Sequence, residues 1–187
     1  MFYLRGMAHT APDSDAELFF HGCDGHRDDF KTLVERYATR LFRYAYTLLR
    51  DTALAEDAVQ NAFQQAFRDH AQFRRAQAFE SWIYGILRHR CMDMLRQRKI
   101  QFLPEQKLER LGVPYFISSD IEWNELRRAL RVTIQKLPPY LQEILQLRYY
   151  EDLSIHDMAQ VTGRSEAVIQ QYIHRALQEL RRLGATN

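Results

Sequence analysis

YYEDLSIHDMAQVTGRSEAVIQQYIHRALQEL, residues 149–180, reads as two short helices joined by a tight turn. Ser154 stands where a helix N-cap belongs, with Asp157 three residues on as its capping-box partner. Gly163 falls in the turn, where the chain needs a positive φ. Ser165 caps the second helix, whose buried face is Ile169, Ile173, Ala176, Leu177 and Leu180. Ala159 is small where the two helices must cross, Gly163 follows four residues later, and Ile169 points inward six residues after that. The spacing suits a helix-turn-helix; an ordinary αα-hairpin with a glycine in its turn is the other reading. Arg164, Glu166, Ala167, Gln170, Gln171 and His174 are left facing outward. Glutamine can pair with adenine edges and glutamate can accept from cytosine. From Ser165 to Gln178, however, there is one acid, one base (Arg175) and one histidine. Phosphate attraction comes from Lys and Arg, so this helix alone should hold DNA weakly.

Upstream, Trp123, Leu126, Leu130 and Ile134 mark a helix that Pro138 stops. Pro139 suits the first position of the next helix, which buries Leu141, Ile144 and Leu145. Residues 100–121 hold Pro104, Gly112, Pro114 and Ser118–Ser119, with apolar residues but no period, and read as a linker. Before it, Phe30, Leu33, Val34, Tyr37, Leu41, Tyr44, Ala45 and Leu48 form one stripe at helical period, on a helix starting near Asp28 or Asp29. A second helix buries Ala55, Ala58, Val59, Ala62, Phe63, Ala66 and Phe67. After the polar loop RDHAQFRRAQ, a third runs from about Ala78 to Lys99 and buries Phe79, Trp82, Ile83, Ile86, Leu87, Met94 and Leu95. A short helix from Asp13 to about His21, ended by Gly22, precedes them. The expectation is an all-α chain of two helical domains joined by a linker. An N-terminal extension spans 1–28, a helical bundle 29–99, the linker 100–121 and the helix-turn-helix domain 122–184.

The chain has 187 residues and a net charge of only +2, so it is no polycation. Its charge is uneven: residues 1–28 carry two bases and five acids, residues 88–99 five bases and one acid. Two cysteines make no disulfide framework, no apolar run is long enough to span a membrane, and the N-terminus lacks a signal-peptide pattern. A cytoplasmic protein without direct membrane insertion is expected. There is no phosphate loop, no credible carboxylate pair and no zinc-ligand pair, and His21, Cys23 and His26 in HGCDGH match no common metal spacing. No catalysis, cofactor or metal is expected.

The positive charge missing from the last helix lies on ESWIYGILRHRCMDMLRQRK. Arg88, Arg90, Arg96, Arg98 and Lys99 dominate its exposed surface, joined by His89 and Tyr84, with Arg74 and Arg75 in the loop before it. Cations with aromatics suit single-stranded DNA; basic groups complementing the helix dipole are the plainer reading. Trp82 reads as core.

From about residue 29 to 183 the chain resembles the extracytoplasmic-function group of bacterial sigma factors. AEDAVQNAFQQAF (55–67) is similar to the family's acidic-then-glutamine helix. By that resemblance Glu56, Asp57, Gln60 and Asn61 dock on the polymerase β′ coiled coil. FESWIYGILRHRCMDMLRQRK (79–99) is similar to the segment that melts and holds the −10 element. It implies −10 contacts from Phe73, Arg74, Arg75, Tyr84, Arg88, His89 and Arg96. LPPYLQEILQLRYYEDLSIHDMAQVTGRS (137–165) resembles the start of the −35-reading domain, with Arg164, Ser165, Glu166, Gln170, Gln171, His174 and Arg175 as its readers. The chain departs from the family at His89, where asparagine is usual, and at AVIQQYI (167–173), where many members have GTVKSRL. Tyr172, the following aliphatic residue and Arg175-Ala176-Leu177 resemble the iron-uptake subgroup.

The resemblance implies an alternative sigma factor that partners the β′ and β subunits of core RNA polymerase, promoter DNA and an anti-sigma protein. A weakly charged reading helix is then tolerable, because polymerase holds both domains and raises the effective concentration of each DNA contact. The competing reading is a ligand-responsive helix-turn-helix regulator that binds duplex DNA without polymerase. Leu103, Leu108, Leu111, Val113, Tyr115, Phe116 and Ile117 in the linker either pack between domains or on a partner, or extend the second domain's core.

Overall fold

A computed structural model of the chain describes residues 14–74, 78–101, 130 and 132–184. Among the described residues the α-helices run α1 (Asp15–Cys23), α2 (Arg27–Leu49), α3 (Thr52–Arg68), α4 (Phe79–Gln101), α5 (Pro139–Leu145), α6 (Ile155–Thr162) and α7 (Glu166–Gly184). A helical turn at 132–135 precedes α5, a π-helical segment Gln146–Tyr150 follows it, and no strand occurs among the described residues. The expected linker apolar residues, with Trp123 and Leu126, lie outside the described residues.

Local chemistry accounts for most of the ends. Ser14 and Glu17 form a reciprocal capping box at α1. Asp51 accepts from the Leu54 amide at the start of α3, and Ser154 from the Asp157 amide at the start of α6. Ser165 Oγ accepts from the Val168 amide at 3.4 Å, opening α7. Gly163 closes α6 at φ +66°, the left-handed turn expected of it.

Two expectations at the N-terminal end are corrected. Helix α2 begins at Arg27 with His26 at the N-cap and no side-chain capping bond. Asp28 and Asp29 therefore sit inside the first turn, where their charge favours the positive end of the helix dipole. Gly22 does not end α1 but lies inside it, buried: a Cβ there would sit 2.7 Å from Phe30 Cβ. It is small because α1 crosses α2 at that point.

The loop between α3 and α4 is less polar than it reads. Past a 3₁₀ turn at His70–Gln72, Phe73 turns inward against Phe19, Phe20 and Trp82, with ring centroids 4.8 to 5.5 Å apart. The same aromatic knot includes Phe79 and fixes α1 over the start of α4. Trp82 belongs to this packing, as expected.

The carboxy-terminal helices do not stand apart. Helix α6 packs on α4, and α5 on α2. One apolar cluster runs from Phe19, Leu33, Leu41, Ile83 and Leu87 into Ile144, Leu147, Leu153, Met158 and Ile169. A smaller one joins Leu137, Leu141, Leu145 and Ala176, with Tyr140, Tyr172 and Leu180 against it.

Candidate nucleic-acid interface

Three faces carry the residues singled out in the sequence. On α3, Glu56, Asp57 and Gln60 are exposed, and Asn61 is half-buried with its side-chain amide donating to the Asp57 carbonyl at 2.8 Å. Ala55, Ala58, Val59 and Ala62 on the opposite side are buried, which fixes the acidic side outward. Beside it runs an open apolar trough between α2 and α3, lined by Phe30, Val34, Phe42, Val59 and Phe63, with Glu56 and Gln60 among its walls. Phe67, expected in the core, is 46% exposed at this trough.

On the helix-turn-helix, Arg164, Ser165, Glu166, Gln170, Gln171, His174 and Arg175 are all exposed. Their neighbours pre-order several of them. His156 bonds Glu166 at 2.9 Å, and Gln178 bonds His174 at 2.9 Å. The Arg164 guanidinium lies over the Tyr172 ring, 5.2 Å from its centroid, and donates to its hydroxyl at 3.2 Å. Tyr172 thus holds an arginine of the turn in place.

The third face is divided. Arg74, His89 and Arg96 are exposed; Asp93 lies 3.4 Å from His89 and 2.8 Å from Arg96. Arg75 lies outside the described residues. Phe73 is buried in the aromatic knot. Tyr84, expected at the surface of α4, is fully buried, because the carboxy-terminal helices cover it. Arg88 is turned inward: its Nε donates to Glu143 Oε1 of α5 at 2.7 Å, and the Tyr44 hydroxyl donates to the same oxygen at 2.8 Å.

A second, parallel set lies beside it. Glu151 accepts from Tyr84 Oη, from Arg40 Nε at 3.0 Å and from Gln146 Nε2 at 2.7 Å, while its carbonyl accepts from Arg40 Nη2 at 3.0 Å. Arg40 also pairs with Glu80. Glu143 and Glu151 are 6% and 1% exposed, burials that a carboxylate tolerates only when paired and hydrogen-bonded. Tyr44 and Tyr84 meet edge to face at 5.3 Å between the two sets. Burial first, then the adjacent glutamate, pushes both phenols well above their ordinary range. Burial alone would lower Arg88; the Glu143 carboxylate and its hydrogen bond outweigh that, and the guanidinium is more firmly charged than usual. Arg50 donates to Gln142, completing the junction between α2 and α5.

Arg40, Glu143 and Glu151 were not singled out from the sequence. The available signal was an acid inside an apolar run, Glu143 beside Leu141, Ile144 and Leu145.

Family models for Sigma-70 region 2 and Sigma-70, region 4 match residues 33–100 and 127–180. The chain is 30% identical over 170 residues to the ECF RNA polymerase sigma factor SigM of Mycobacterium tuberculosis, covering 91% of this chain and 84% of the relative. It is 26% identical over 151 residues to the RNA polymerase sigma factor SigV of Bacillus subtilis, covering 80% of this chain and 87% of that one. Among solved structures, CnrH in complex with the cytosolic domain of CnrY superposes with a TM-score of 0.68 at 23% identity, over 94% of this chain and 99% of that chain. The sigma factor RpoE of Bartonella quintana, in complex with the anti-sigma factor NepR, gives 0.68 at 22%, over 85% and 98%; both establish likeness of fold. With both region models matched in order along one chain, and a relative aligned over nine-tenths of it, the chain belongs to the extracytoplasmic-function RNA polymerase sigma factors.

Proposed function

We propose that this sigma factor divides its work among the three faces described. The α3 face, Glu56, Asp57, Gln60 and Asn61 with the adjoining trough, docks on the β′ subunit of core polymerase. The α4 face, with Arg74, Arg75, Arg88, His89 and Arg96, holds the −10 strand. Arg164, Ser165, Glu166, Gln170, Gln171, His174 and Arg175 read the −35 element. The domain division is 29–99 and 122–184, with 100–121 between. One observation carries the reading: an exposed helix-turn-helix and an exposed acidic helix edge, with an apolar trough beside it, share one chain. A regulator that binds DNA alone has no use for the second. The trough, with Phe67 exposed at it, suits a helical partner that presents apolar side chains and cations.

Asp57→Lys is expected to abolish capture by core polymerase while leaving helicity and Tm nearly unchanged, since Asp57 is exposed. Full capture of that variant in a pull-down would remove Asp57 from the docking face. An anti-sigma protein is the expected regulator, as family membership suggests; co-purification under inducing and non-inducing growth should recover it in one condition only. Kinship with the iron-uptake subgroup rests on Tyr172 with Arg175-Ala176-Leu177 and is tested by the promoter sequences selected from a library.

A further inference from the structure

The arrangement of the two halves is incompatible with the reading just given unless the chain opens. The −10 and −35 elements lie roughly 25 base pairs apart by their names, or ~85 Å at ~3.4 Å per base pair. The longest helices here, α2 and α4, have 23 residues, or ~35 Å, and the carboxy-terminal helices lie directly on them. Residues 102–129, between the two described portions, can reach ~95 Å when fully extended, which suffices.

In the closed chain the three faces are not equally accessible. The −35 readers are exposed, and so are Glu56, Asp57 and Gln60. Only the −10 face is partly covered: Arg74, His89 and Arg96 are exposed, while Arg88 and Tyr84 are held by carboxylates. Glu143 receives Arg88 and Tyr44, and Glu151 receives Arg40 and Tyr84. An arginine and a hydroxyl converging on one anionic oxygen is how a protein grips a strand phosphate. Both acids come from the carboxy-terminal half and all four donors from α2 and α4.

We propose that Glu143 and Glu151 form an internal latch, occupying at Arg88 and Arg40 the places of −10 strand phosphates, so that the free chain cannot grip the strand until these two carboxylates withdraw. The proposal rests on the assignment of α4 to the −10 strand; in the open form it adds Arg40 and Tyr44 to that surface and uncovers Tyr84, which the resemblance had placed there. Polymerase can dock first, because its face is clear in the closed chain, and the strand then replaces the glutamates. The latch makes the chain blind to stray single strands while it is free.

The test uses the full chain. Glu143→Gln with Glu151→Gln keeps size and one accepting oxygen at each position but removes both anions. Small-angle X-ray scattering is expected to show a larger radius of gyration than wild type. Fluorescence anisotropy with a labelled single-stranded oligodeoxynucleotide pool should show at least about tenfold tighter binding, the gain expected if the wild type is nine-tenths closed or more. Charge reversal gives a second arm: Arg88→Glu and Glu143→Arg each expand the chain, and the two together restore the compact dimension. Equal radii and equal strand affinity for wild type and the Gln variant would overturn the latch, as would failure of the swapped pair to close. Capture on core polymerase separates the two claims. Variants that are captured but gain no strand affinity overturn the latch and leave the proposed function standing. Failure of the wild type to be captured strikes at the function, while scattering still decides the latch.

Discussion

Gly22 and Gly163 are the same residue under opposite constraints. At Gly163 a Cβ would meet nothing within 4 Å, but the backbone sits at φ +66°. Gly163→Ala therefore costs backbone strain alone, about 1–2 kcal/mol, and should lower Tm by a few degrees. At Gly22 the added carbon would strike Phe30 Cβ at 2.7 Å and its backbone at 3.1 Å. Backbone cannot swing aside as a side-chain tip can, so Gly22→Ala should cost about 1–3 kcal/mol and loosen α1 from α2. Calorimetry on the two variants checks the order, and hydrogen exchange checks the place: faster exchange in α1 for Gly22→Ala and none there for Gly163→Ala. The sequence shows a turn at Gly163 because the caps around it announce one. It cannot show the role of Gly22, since what forbids a side chain there is a residue on another helix.

At the scale of the element, the helices were legible and what covers them was not. The stripe on α2 and the buried side of α3 follow from period alone, and Ile169 and Ala176 face inward on α7 as the spacing requires. Tyr84 and Arg88 lie on the side of α4 that its own bundle leaves open, so period alone reads them as surface. That surface is taken by α5 and by Glu151, which follows the π-helical segment Gln146–Tyr150, residues far along the chain. The exposure of Gln170, Gln171, His174 and Arg175 on α7 was legible for the converse reason: among the described residues nothing packs over them. The helix's side chains divide by chemistry. Glu166→Ala or Gln170→Ala should change which −35 sequence is preferred, because these groups can reach base edges. Arg175→Ala should weaken all sequences alike and reduce the salt slope of binding by about one. Transcription of a promoter library by the three variants, with binding measured over a salt series, distinguishes them; an unaltered preference for Gln170→Ala would remove it from the readers.

For the whole molecule, the junction between the halves ties closure to protonation. Tyr44 and Tyr84 are buried there, and their phenols face Glu143, Glu151, Glu80, Arg40, Arg88 and the Cys91 thiol. Burial and the glutamates raise both phenols, and the arginines offset only part of that. Tyr37, between α1 and α2, is raised as well, by burial first and then by its bond to Asp15. A group whose pKa is higher in the closed state stabilises closure fully while pH stays below its ordinary value, about 10 for tyrosine. Above that, the open chain releases the proton that the closed chain retains, and closure weakens as pH climbs toward the raised value. Through these phenols, opening is therefore expected on the alkaline side and not in mild acid. Tyr44 and Tyr84 should ionise late, well above the ordinary range of a phenol, together with an increase in radius of gyration. In the Glu143→Gln, Glu151→Gln chain these two phenols should ionise earlier, because the open form returns them to water. Phenolate absorbance and scattering recorded on the same titration test this, and a single ionisation step for all tyrosines with no late group in the wild type would contradict it.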